Sequence, residues 1–543
     1  MELKLEGIKN TEKWKELGYI MPEFNLDHTS QETKHNPIWV HFGSGNIFRA
    51  LLANRVQDLL NRGIMDRGII AVEGFDYDIV HRINKPHDNL FILATLKNKG
   101  DIEKRVVASV TESLAPEDNE CKDMERLREI FENPSLQMVT FTITEKAYNL
   151  QENNGVYKAD VLKDFENPPL MATSYMGKVA ALLYHRFINT KAPLALVSMD
   201  NCSENGSRLF NAIFEFATHW AERGFASNEF LETLKDNSVF SFPWTMIDKI
   251  TPRPDEKIGK ILEDDGIVGI KPIITEKNTY IAPFVNTEEY ECLIIEDDFP
   301  GKRPLLEEAG FIFTDREGVK KAENMKVCTC LNPLHTALAI FGCLLGYTSI
   351  ATEMEDELLK KMVYRLGYEE GLPVVENPEV IEPENFLRVV LKERLSNKYL
   401  PDTPQRIATD TSQKLGIRFG ETVIRHRKKA LNEKIELKII PLIYAGWLRY
   451  LMAVDDCGAL FELSPDPKLE ELRKIIGEIK LGEQISIKKL EKILKDTTIF
   501  GVDLCEYGMG EQVTEYFNEL NRGIGAVGEC LNRVLSIGSN NSI

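Results

Sequence analysis

The chain has 543 residues, of which 43% are hydrophobic and 28% are charged, and its formal net charge at pH 7 is −19. This length and composition are typical of a soluble globular protein with two or three domains, each large enough for its own core. Because like charges repel, the negative charge disfavours nucleic acids and anionic membranes as partners.

The cysteines and the N-terminal residues favour a cytoplasmic protein. Nine cysteines, an odd number, are scattered along the chain, as expected of reduced thiols. The N-terminal sequence contains no apolar stretch of the kind found in signal peptides. The longest apolar run, residues 336–351, is interrupted by Gly342, Gly346 and Tyr347 and is too short to span a bilayer. We expect a monomer or a small homo-oligomer with no membrane partner.

The N-terminal part of the chain shows the pattern of a dinucleotide-binding unit. Residues 37–42 predict a buried strand, which is followed by a turn with Gly43 and Gly45 and by an amphipathic helix that ends at Gly63. A second apolar run then ends on Glu73. Strand, glycine turn, helix, strand and acid are the order of a βαβ unit that binds a dinucleotide.

The rest of the chain divides into two kinds of pattern. Further strands are predicted at residues 138–144 and 194–199, with helical patterns between them, so the fold class of the first part is α/β with a Rossmann-type, mostly parallel sheet. Beyond about Gly318 helical periodicity dominates, at residues 336–346, 354–369, 385–395, 439–453 and 468–480. We predict a dinucleotide-binding domain with an N-terminal extension over residues 1–318, and a mainly helical substrate and catalytic domain over residues 319–543.

The glycine turn and the acid after the second strand favour NAD as the cofactor. Gly43 and Gly45 let backbone N–H groups approach a pyrophosphate, whose charge the following helix N-terminus favours. The third glycine of the usual fingerprint is missing, and Phe48 takes its place. A carboxylate at Glu73 would accept hydrogen bonds from ribose hydroxyls and repel the 2′-phosphate of NADP. The alternative is that Glu73 is an ordinary exposed acid at a strand end.

The stretch KVCTCLNPLH, from Lys326 to His335, allows three interpretations. Its two cysteines form a CxC without a second pair, which is a poor zinc signature. A buried Lys326 could instead exchange a proton with an alkoxide, while Asn332 and His335 hydrogen-bond the same oxygen. The third interpretation is the capped start of a buried helix, with Asn332 as N-cap, Pro333 at the first helical position and a solvated lysine. The residues alone leave the last two interpretations open.

The same stretch resembles the signature K-x4-N-x2-H of the polyol-specific long-chain dehydrogenases, the mannitol dehydrogenase family. One more residue separates Lys326 from Asn332 here than in that signature. Other blocks resemble this family in the same order along the chain, and their co-linear order over residues 37 to 535 is more specific than any one block: IWVHFGSGNIFRA, TITEKAYN, SMDNCSENG, IDKITPRP, IIEDDFPGKRP, AGWLRYL and TTIFGVDL.

This resemblance implies roles for particular residues. Lys326 would be the general acid and base, Asn201 and Asn332 would hold the substrate oxygen, and His335 would orient a substrate hydroxyl or the carbonyl. Glu323 would lie on a proton path. The implied cofactor-binding residues, for NAD, are Gly43, Gly45, Asn46, Ile47, Phe48, Arg49 and Glu73. The family needs no catalytic metal, and the sequence offers no convincing ligand cluster.

Three further residues are implied in substrate binding. Asp248 would contact the substrate, although a salt bridge to a neighbouring basic residue is the alternative. Arg406 and Lys414 resemble the family's R-x7-K substrate segment. On one helix, cations eight residues apart fall within about 80° of each other, so both could grip the carboxylate of a sugar acid. Solvated surface cations remain the alternative.

The resemblance implies reduction of D-fructuronate by NADH to D-mannonate, or the reverse oxidation. Tagaturonate reduction and fructose–mannitol interconversion use the same chemistry and stay open. A lyase that uses Lys326 as a Schiff-base nucleophile is another alternative. A non-catalytic NAD-binding homologue is a further one, suggested by the extra residue before Asn332. Residues 271–290 carry no functional interpretation from the sequence.

Overall fold

A computed structural model describes residues 1–97, 100–152, 154–429 and 437–536. The chain divides into two units, Met1–Lys320 and Lys321–Ile543. In the described residues every β-strand lies in the first unit, and the second unit is built from helices.

The described part of the first unit contains fifteen strands: β1 (Tyr19–Ile20), β2 (Trp39–Phe42), β3 (Ile69–Val72), β4 (Phe91–Leu96), β5 (Ile102–Val107), β6 (Val110–Leu114), β7 (Met138–Phe141), β8 (Leu194–Ser198), β9 (Phe240–Ser241), β10 (Thr245–Asp248), β11 (Ile273–Ile274), β12 (Tyr280–Ile281), β13 (Phe284–Glu288), β14 (Cys292–Glu296) and β15 (Ile312–Thr314). Its α-helices are α1 (Thr11–Glu16), α2 (Leu26–His35), α3 (Asn54–Asn61), α4 (Lys122–Glu132), α5 (Glu145–Tyr148), α6 (Ala159–Phe165), α7 (Tyr175–Asn189), α8 (Asn205–Glu222), α9 (Asn228–Leu234) and α10 (Glu256–Asp264).

The main sheet of this unit is parallel throughout. Its six strands lie in the order β6-β3-β2-β7-β8-β9, which is the order 3-2-1-4-5-6 of a Rossmann fold. Strand β2 is apolar on both faces because both are covered: Val40 and Phe42 enter the core on one side, and Trp39 enters the core on the other. The predicted fold class, an α/β Rossmann-type domain followed by a helical one, is confirmed.

The strand order reverses between β2 and β7, where ligands bind in doubly wound sheets. The carboxyl ends of these two strands meet, because β2 and β7 pair from Trp39 to Phe42. The backbone N–H of Thr142 donates to the Phe42 carbonyl at 2.9 Å. The glycine turn after β2 therefore lies directly beside the loop after β7.

Three smaller sheets complete the first unit: β1-β5-β4-β13, β10-β14-β15 and the hairpin β11-β12. The hairpin is antiparallel and pairs Ile273 with Ile281. This hairpin lies within residues 271–290, the region that carries no functional interpretation from the sequence.

The helices from Arg316 onward are α11 (Arg316–Asn324), α12 (Asn332–Leu344), α13 (Ile350–Glu353), α14 (Glu357–Arg365), α15 (Pro383–Val389), α16 (Pro404–Ile407), α17 (Glu421–Lys429), α18 (Ile439–Tyr450), α19 (Leu469–Ile476), α20 (Ile487–Leu494), α21 (Thr497–Phe500), α22 (Gly510–Leu520) and α23 (Ala526–Ser536). Several are extended by π-helical turns, at Met325–Cys330, Leu366–Gly371, Val390–Arg394 and Gly416–Gly420. The five helical periods predicted from the sequence all fall on helices of this set.

Two buried features lie in the helices from Arg316 onward. Glu353 is fully buried, and neither of its carboxylate oxygens has a hydrogen-bond partner within the described ranges. By length and composition alone, one helical stretch of the described chain, Arg316–Leu344, could cross a membrane, but 83% of its most apolar window is buried. Core helices of globular proteins pass the same test, so this stretch is weak evidence for a membrane span.

Candidate cofactor and substrate sites

The two glycines after β2 serve different purposes. Gly43 has a φ of +103°, and a Cβ atom there would lie 2.2 Å from the backbone oxygen of Thr142. Gly43 is therefore required by the close approach of the two loops. A Cβ atom at Gly45 would meet nothing within 4 Å, so this position opens onto free space. Gly45 leaves room for a ligand to approach the start of the following helix.

Phe48 replaces the missing third glycine by packing against a histidine. Its ring is buried and stacks on the His41 ring, with centroids 4.1 Å apart. His41 lies within 2.6 Å of the Thr140 hydroxyl and 2.9 Å of the Thr142 hydroxyl, and burial lowers the pKa of His41 to about 3. A neutral imidazole thus joins β2 to the loop after β7. A π-helical turn, Phe48–Ala53, begins at Phe48 and runs into α3.

The side chains of Asn46 and Arg49 are engaged by the protein itself. Arg49 is buried and donates to the Ala282 carbonyl at 2.8 Å and to Asn46 Oδ1 at 2.7 Å. Asn46 in turn donates to the Pro252 carbonyl at 3.2 Å. These hydrogen bonds hold the start of the helix against the segments that contain Pro252 and Ala282. Direct cofactor contacts of these two residues, and of Ile47 and Phe48, stay predictions.

Glu73 is buried rather than exposed, so its interpretation as an ordinary exposed acid was wrong. Oε2 accepts from the Ser44 N–H at 3.0 Å, and Oε1 accepts from the N–H groups of Phe75 and Asp76 at 3.1 and 3.2 Å. Burial raises the pKa of Glu73, and these three donors oppose that rise. Each carboxylate oxygen accepts about two hydrogen bonds. Oε2 thus retains capacity for one more donor.

A cavity of about 620 Å³ opens at the switch point between β2 and β7. Its walls come from the glycine turn, the segment after Glu73, the loop after β7, the start of α7 and the hairpin β11-β12; the lining includes Gly43, Gly45, Glu73, Phe75, Asp76, Thr142, Thr144, Tyr175 and Thr279. The volume is that of a small-molecule site. An open glycine position, a helix N-terminus and a buried acid lie on one wall, and these groups fit a dinucleotide.

Asp200 organises the loop after β7 and was missed in the sequence. Its buried carboxylate accepts from the N–H groups of Ile143 and Thr144 at 3.0 and 2.9 Å, and from the Tyr148 hydroxyl at 2.6 Å. Burial raises the pKa of Asp200 against these donors. An acid directly after a buried strand was the available signal. The neighbouring Asn201, singled out from the sequence, is exposed.

Asp248 lies at the end of β10, where it is buried opposite Cys292 of β14. The next residue, Lys249, forms a buried ion pair with Glu291 at 2.9 Å. The structure places Asp248 at the carboxyl end of a strand, as the predicted substrate role needs. That role stays a prediction.

Lys326 lies in a π-helical turn, Met325–Cys330, within the segment that is one residue longer than the signature. The side chain is buried, with 4% exposed. The N–H of Leu331 donates to the Lys326 carbonyl at 3.2 Å, five residues back, where an α-helix would bond four back. A π turn holds one residue more than an α turn. The spacing K-x5-N therefore accompanies a continuous helical path from α11 towards α12. Glu323 is half-buried at the end of α11.

The two cysteines of this turn are core residues. Cys328 and Cys330 are buried, which raises the pKa of Cys328 to about 12 and that of Cys330 to about 11. Their thiols are therefore protonated at neutral pH and are poor metal ligands. All nine cysteines, each in a described range, lie outside any disulfide bond. No group of three potential metal-ligating side chains occurs in the part of the chain that the structure describes.

The helix after this turn begins one residue earlier than predicted. Leu331 holds the cap position of α12, Asn332 is the first helical residue and Pro333 the second, so the prediction of Asn332 as N-cap was wrong. His335 lies within the first turn, and its Nε2 is 3.7 Å from Asp402 Oδ2. Burial lowers the pKa of His335 to about 4, opposed by the Asp402 charge. The imidazole is neutral at pH 7.

Three arginines lie near His335, and Lys414 lies near two of them; we call these four residues the cation cluster: Arg394, Arg406, Lys414 and Arg418. The charges of the three arginines each lower the pKa of His335 further. The pKa of Lys414 is lowered by burial and then by the charges of Arg418 and Arg406. Arg418 donates to the Thr336 hydroxyl at 2.5 Å, and burial lowers the pKa of its guanidinium to about 10. Arg406 is 64% exposed and pairs with Asp402.

Arg406 and Lys414 do not share one helix, so the prediction of a continuous helix between them was wrong. Helix α16 ends at Ile407, a 3-10 turn covers Thr411–Gln413, and Asp410 has a φ of +54° between them. Lys414 reaches back to the Ile407 carbonyl at 3.4 Å. The chain reversal brings the two cations together. Arg394 and Arg418, which complete the cluster, were missed; a cation four residues after Lys414 was the only signal.

Comparison with known proteins gives concordant matches. Residues 37–308 match the family model of the mannitol dehydrogenase Rossmann domain, and residues 318–521 match that of the mannitol dehydrogenase C-terminal domain. D-mannonate oxidoreductase of Thermotoga maritima is 49% identical over 538 residues, which cover 98% of this chain and 99% of that protein. Mannitol 2-dehydrogenase of Pyrenophora tritici-repentis is 28% identical over 460 residues, covering 83% and 75%. The crystal structure of a substrate-free D-sorbitol dehydrogenase superposes with a TM-score of 0.77 at 25% identity, over 94% of this chain and 97% of that one.

Proposed function

Because the chain belongs to the mannitol dehydrogenase family, we propose that it is an NAD-dependent oxidoreductase that interconverts a keto-uronate and an aldonate. The substrate pair is D-fructuronate and D-mannonate. The relative with 49% identity is named D-mannonate oxidoreductase, which supports this choice over neutral polyols.

The cation cluster around His335 is the observation that carries the substrate class. Arg394, Arg406 and Arg418 are close enough to perturb the ionisation of one histidine, and the pKa of Lys414 is lowered by burial and by two of them. Asp402 pairs with Arg406 and also faces His335. The positive charge of the cluster suits a carboxylate, which an arginine can bind through two parallel hydrogen bonds. Mannitol has no carboxylate to form such bonds.

The cofactor residues of the first unit are those of the cavity after β2. The N–H groups at the start of the helix after Gly45 hold the pyrophosphate, and the open position at Gly45 lets it approach. Glu73 Oε2 accepts one ribose hydroxyl, and the buried carboxylate repels a 2′-phosphate. When bound, NADH supplies the hydride that the carbonyl carbon receives.

Lys326 carries the proton. As the carbonyl is reduced, the Lys326 ammonium donates a proton to the developing alkoxide, and in the oxidation the neutral amine takes it back. Asn332 and Asn201 hold this oxygen, and His335 orients a substrate hydroxyl as a neutral hydrogen-bonding group. Asp248 contacts the substrate, and Glu323 passes the proton onward. No metal takes part in this mechanism.

The physiological direction, a cytoplasmic location and a monomeric or small oligomeric state belong to the proposal as predictions. Tagaturonate and fructose remain alternative substrates. Lyase chemistry through a Schiff base on Lys326 is distinguished by borohydride reduction in the presence of substrate, which would attach the substrate to Lys326 only in a lyase.

A substrate panel tests the proposal. NADH absorbance is followed with the purified full chain and fructuronate, tagaturonate, fructose or a hexose phosphate. We expect the highest kcat/KM with fructuronate and little turnover of fructose. Faster turnover of fructose than of either keto-uronate would overturn the substrate class. Binding of NADH without turnover of any of the four would make the chain a non-catalytic homologue.

A further inference from the structure

The hairpin β11-β12 forms part of the cavity wall and is tied to the segment after Glu73. Thr279 lines the cavity. The Thr275 hydroxyl donates to Asp76 Oδ2 at 2.6 Å, and both side chains are buried. The N–H of Glu276 donates to Asp78 Oδ2 at 3.0 Å. Residues 271–290 thus contribute directly to the site that the glycine turn begins.

Phe75 is an unusual side chain in this wall. It lines the cavity, yet 61% of it is exposed. The Nζ atom of Lys277, from the tip of the hairpin, lies 5.2 Å from the centroid of its ring. An exposed ring held by a cation from a separate segment keeps a π face available in a wet site.

Position along the chain connects Phe75 with the adenine base. Glu73, two residues earlier, is the acid that would receive the adenosine ribose, and its Oε1 accepts the Phe75 N–H. A base attached to that ribose therefore comes close to the segment 74–76. Every nucleobase has a π face that stacks on an aromatic ring.

We propose that the hairpin β11-β12 completes the adenosine end of the cofactor cavity, with Phe75 as the stacking surface for adenine and Lys277 as the residue that positions the Phe75 ring. This inference rests on the proposed use of NAD. It assigns Phe75 a direct contact with the cofactor and Lys277 a positioning role. The residues of the hairpin determine affinity for the adenosine half and leave the proton transfer at Lys326 unaffected.

Calorimetric titration with ADP-ribose and AMP, which lack nicotinamide, tests the adenosine end without turnover. In the full chain, Phe75→Ala should weaken the Kd for both ligands by roughly five- to a hundredfold, and Phe75→Tyr should restore it. Lys277→Ala should weaken it by about two- to fivefold. Lys235→Ala is the matched control, because Lys235 also lies 5.2 Å from a phenylalanine ring, that of Phe214, outside this cavity. The variant Lys235→Ala should leave the Kd for both ligands unchanged.

Each remaining outcome is decisive. Equal binding of ADP-ribose by the wild type and Phe75→Ala overturns the inference and leaves the proposed function intact. Failure of the wild type to bind ADP-ribose, AMP or NADH overturns the proposed function as well. Tighter binding of 2′,5′-ADP than of AMP, lost in Lys277→Ala, would make Lys277 a phosphate ligand and overturn its positioning role. If Phe75→Ala lowers the melting temperature, the Kd values of Phe75→Tyr and Lys277→Ala test the inference instead. A wild-type Kd in Phe75→Tyr together with a weaker Kd in Lys277→Ala supports it, and an unchanged Kd in Lys277→Ala overturns the positioning role.

Discussion

The glycine turn after β2 and the cation cluster around His335 prepare for anions in opposite ways. At the turn, the positioning groups are backbone N–H groups: that of Ser44 donates to Glu73, and the helix N-terminus follows beside Gly45. The N–H groups of Phe75 and Asp76 complete the hydrogen bonds of Glu73. At the cluster, long side chains converge from separate turns, and burial together with mutual repulsion lowers the pKa values of His335 and Lys414.

This difference determines which kind of substitution should disrupt each site. Backbone dipoles are fixed by the fold and carry no side-chain entropy cost, so the turn fails when its geometry changes. Converging cations repel each other until an anion arrives, so the cluster fails when its charge changes. The following changes separate the two cases, from the largest expected effect to the smallest.

Replacing Lys326 with alanine removes the group proposed to exchange a proton with the substrate oxygen. We expect kcat to fall by about 10²–10⁴-fold, the usual contribution of general acid–base catalysis, while the Kd for NADH in a fluorescence titration stays unchanged. The exposed Lys320, six residues earlier, is the matched control, and Lys320→Ala should keep full activity. Retention of more than a tenth of wild-type kcat in Lys326→Ala would contradict the assigned role.

Two buried glutamates extend the comparison to stability. Glu73 has three N–H donors, whereas Glu353 has no partner in the described residues, and burial raises the pKa of Glu353 to about 9. The pKa of Glu353 in the folded protein lies above its unfolded value of about 4.5. The contribution of Glu353 to the free energy of unfolding of the wild type is therefore highest below pH 4.5 and falls as the pH rises towards 9, because the buried carboxyl must stay protonated or be ionised without a partner. Glu353→Gln should therefore be more stable than the wild type by about 2–4 kcal/mol at pH 8, and equal to it near pH 4.5.

Urea unfolding of both proteins at the two pH values measures this difference. Glu357→Gln provides the control, since the Glu357 side chain is 85% exposed. A gap between Glu353→Gln and the wild type that is the same at both pH values would show that Glu353 is ionised in the folded protein.

Alanine substitutions at Gly43 and Gly45 should distinguish a backbone conformation that the fold requires from open space that the cofactor requires. Gly43→Ala should lose about 1–3 kcal/mol of folding free energy from the positive φ alone, more from the contact with Thr142, and NADH binding with it. Gly45→Ala should keep the wild-type unfolding free energy but weaken NADH binding by about tenfold, because its methyl group would occupy the approach of the pyrophosphate. Denaturation and NADH titration of the same samples provide both numbers. Similar stability losses in the two variants would argue against the distinction.

Substitution of Arg418 with lysine tests the cluster most gently, because the charge is kept and the planar fork is lost. We expect KM for D-mannonate to rise by about tenfold, the equivalent of about 1.4 kcal/mol, with the KM for NAD unchanged. Arg427→Lys, at an exposed position of α17, serves as the reference variant. An equal rise in KM for a neutral polyol would mean that Arg418 does not recognise the carboxylate.

The sequence predicted best those features that depend on neighbouring residues. The strand at residues 37–42, the turn at Gly43 and the acid at Glu73 were predictable because apolar runs and glycine positions are local signals. Phe48 as the partner of His41 was not, since the stacking depends on how the helix start lies over β2. Asp200 was missed because its backbone donors, Ile143 and Thr144, come from the loop after another strand, β7.

In the second unit, the limits of prediction lie in irregular helices. A helical wheel assumes constant rotation per residue, and the left-handed Asp410 and the short pieces around it break that assumption between Arg406 and Lys414. Arg394 and Arg418 join the cluster through tertiary packing, which no spacing rule contains. The cap of α12 lies one residue earlier than predicted, because Leu331 follows the π turn directly and caps both that turn and α12.

A π turn holds one residue more than an α turn. Deletion of one residue between Lys326 and Asn332 would therefore shorten the spacing between lysine and asparagine and convert this turn to an α turn, while the helices on either side keep their places. Such a turn is a spacer that tolerates a change in length within the segment that carries the proposed catalytic lysine.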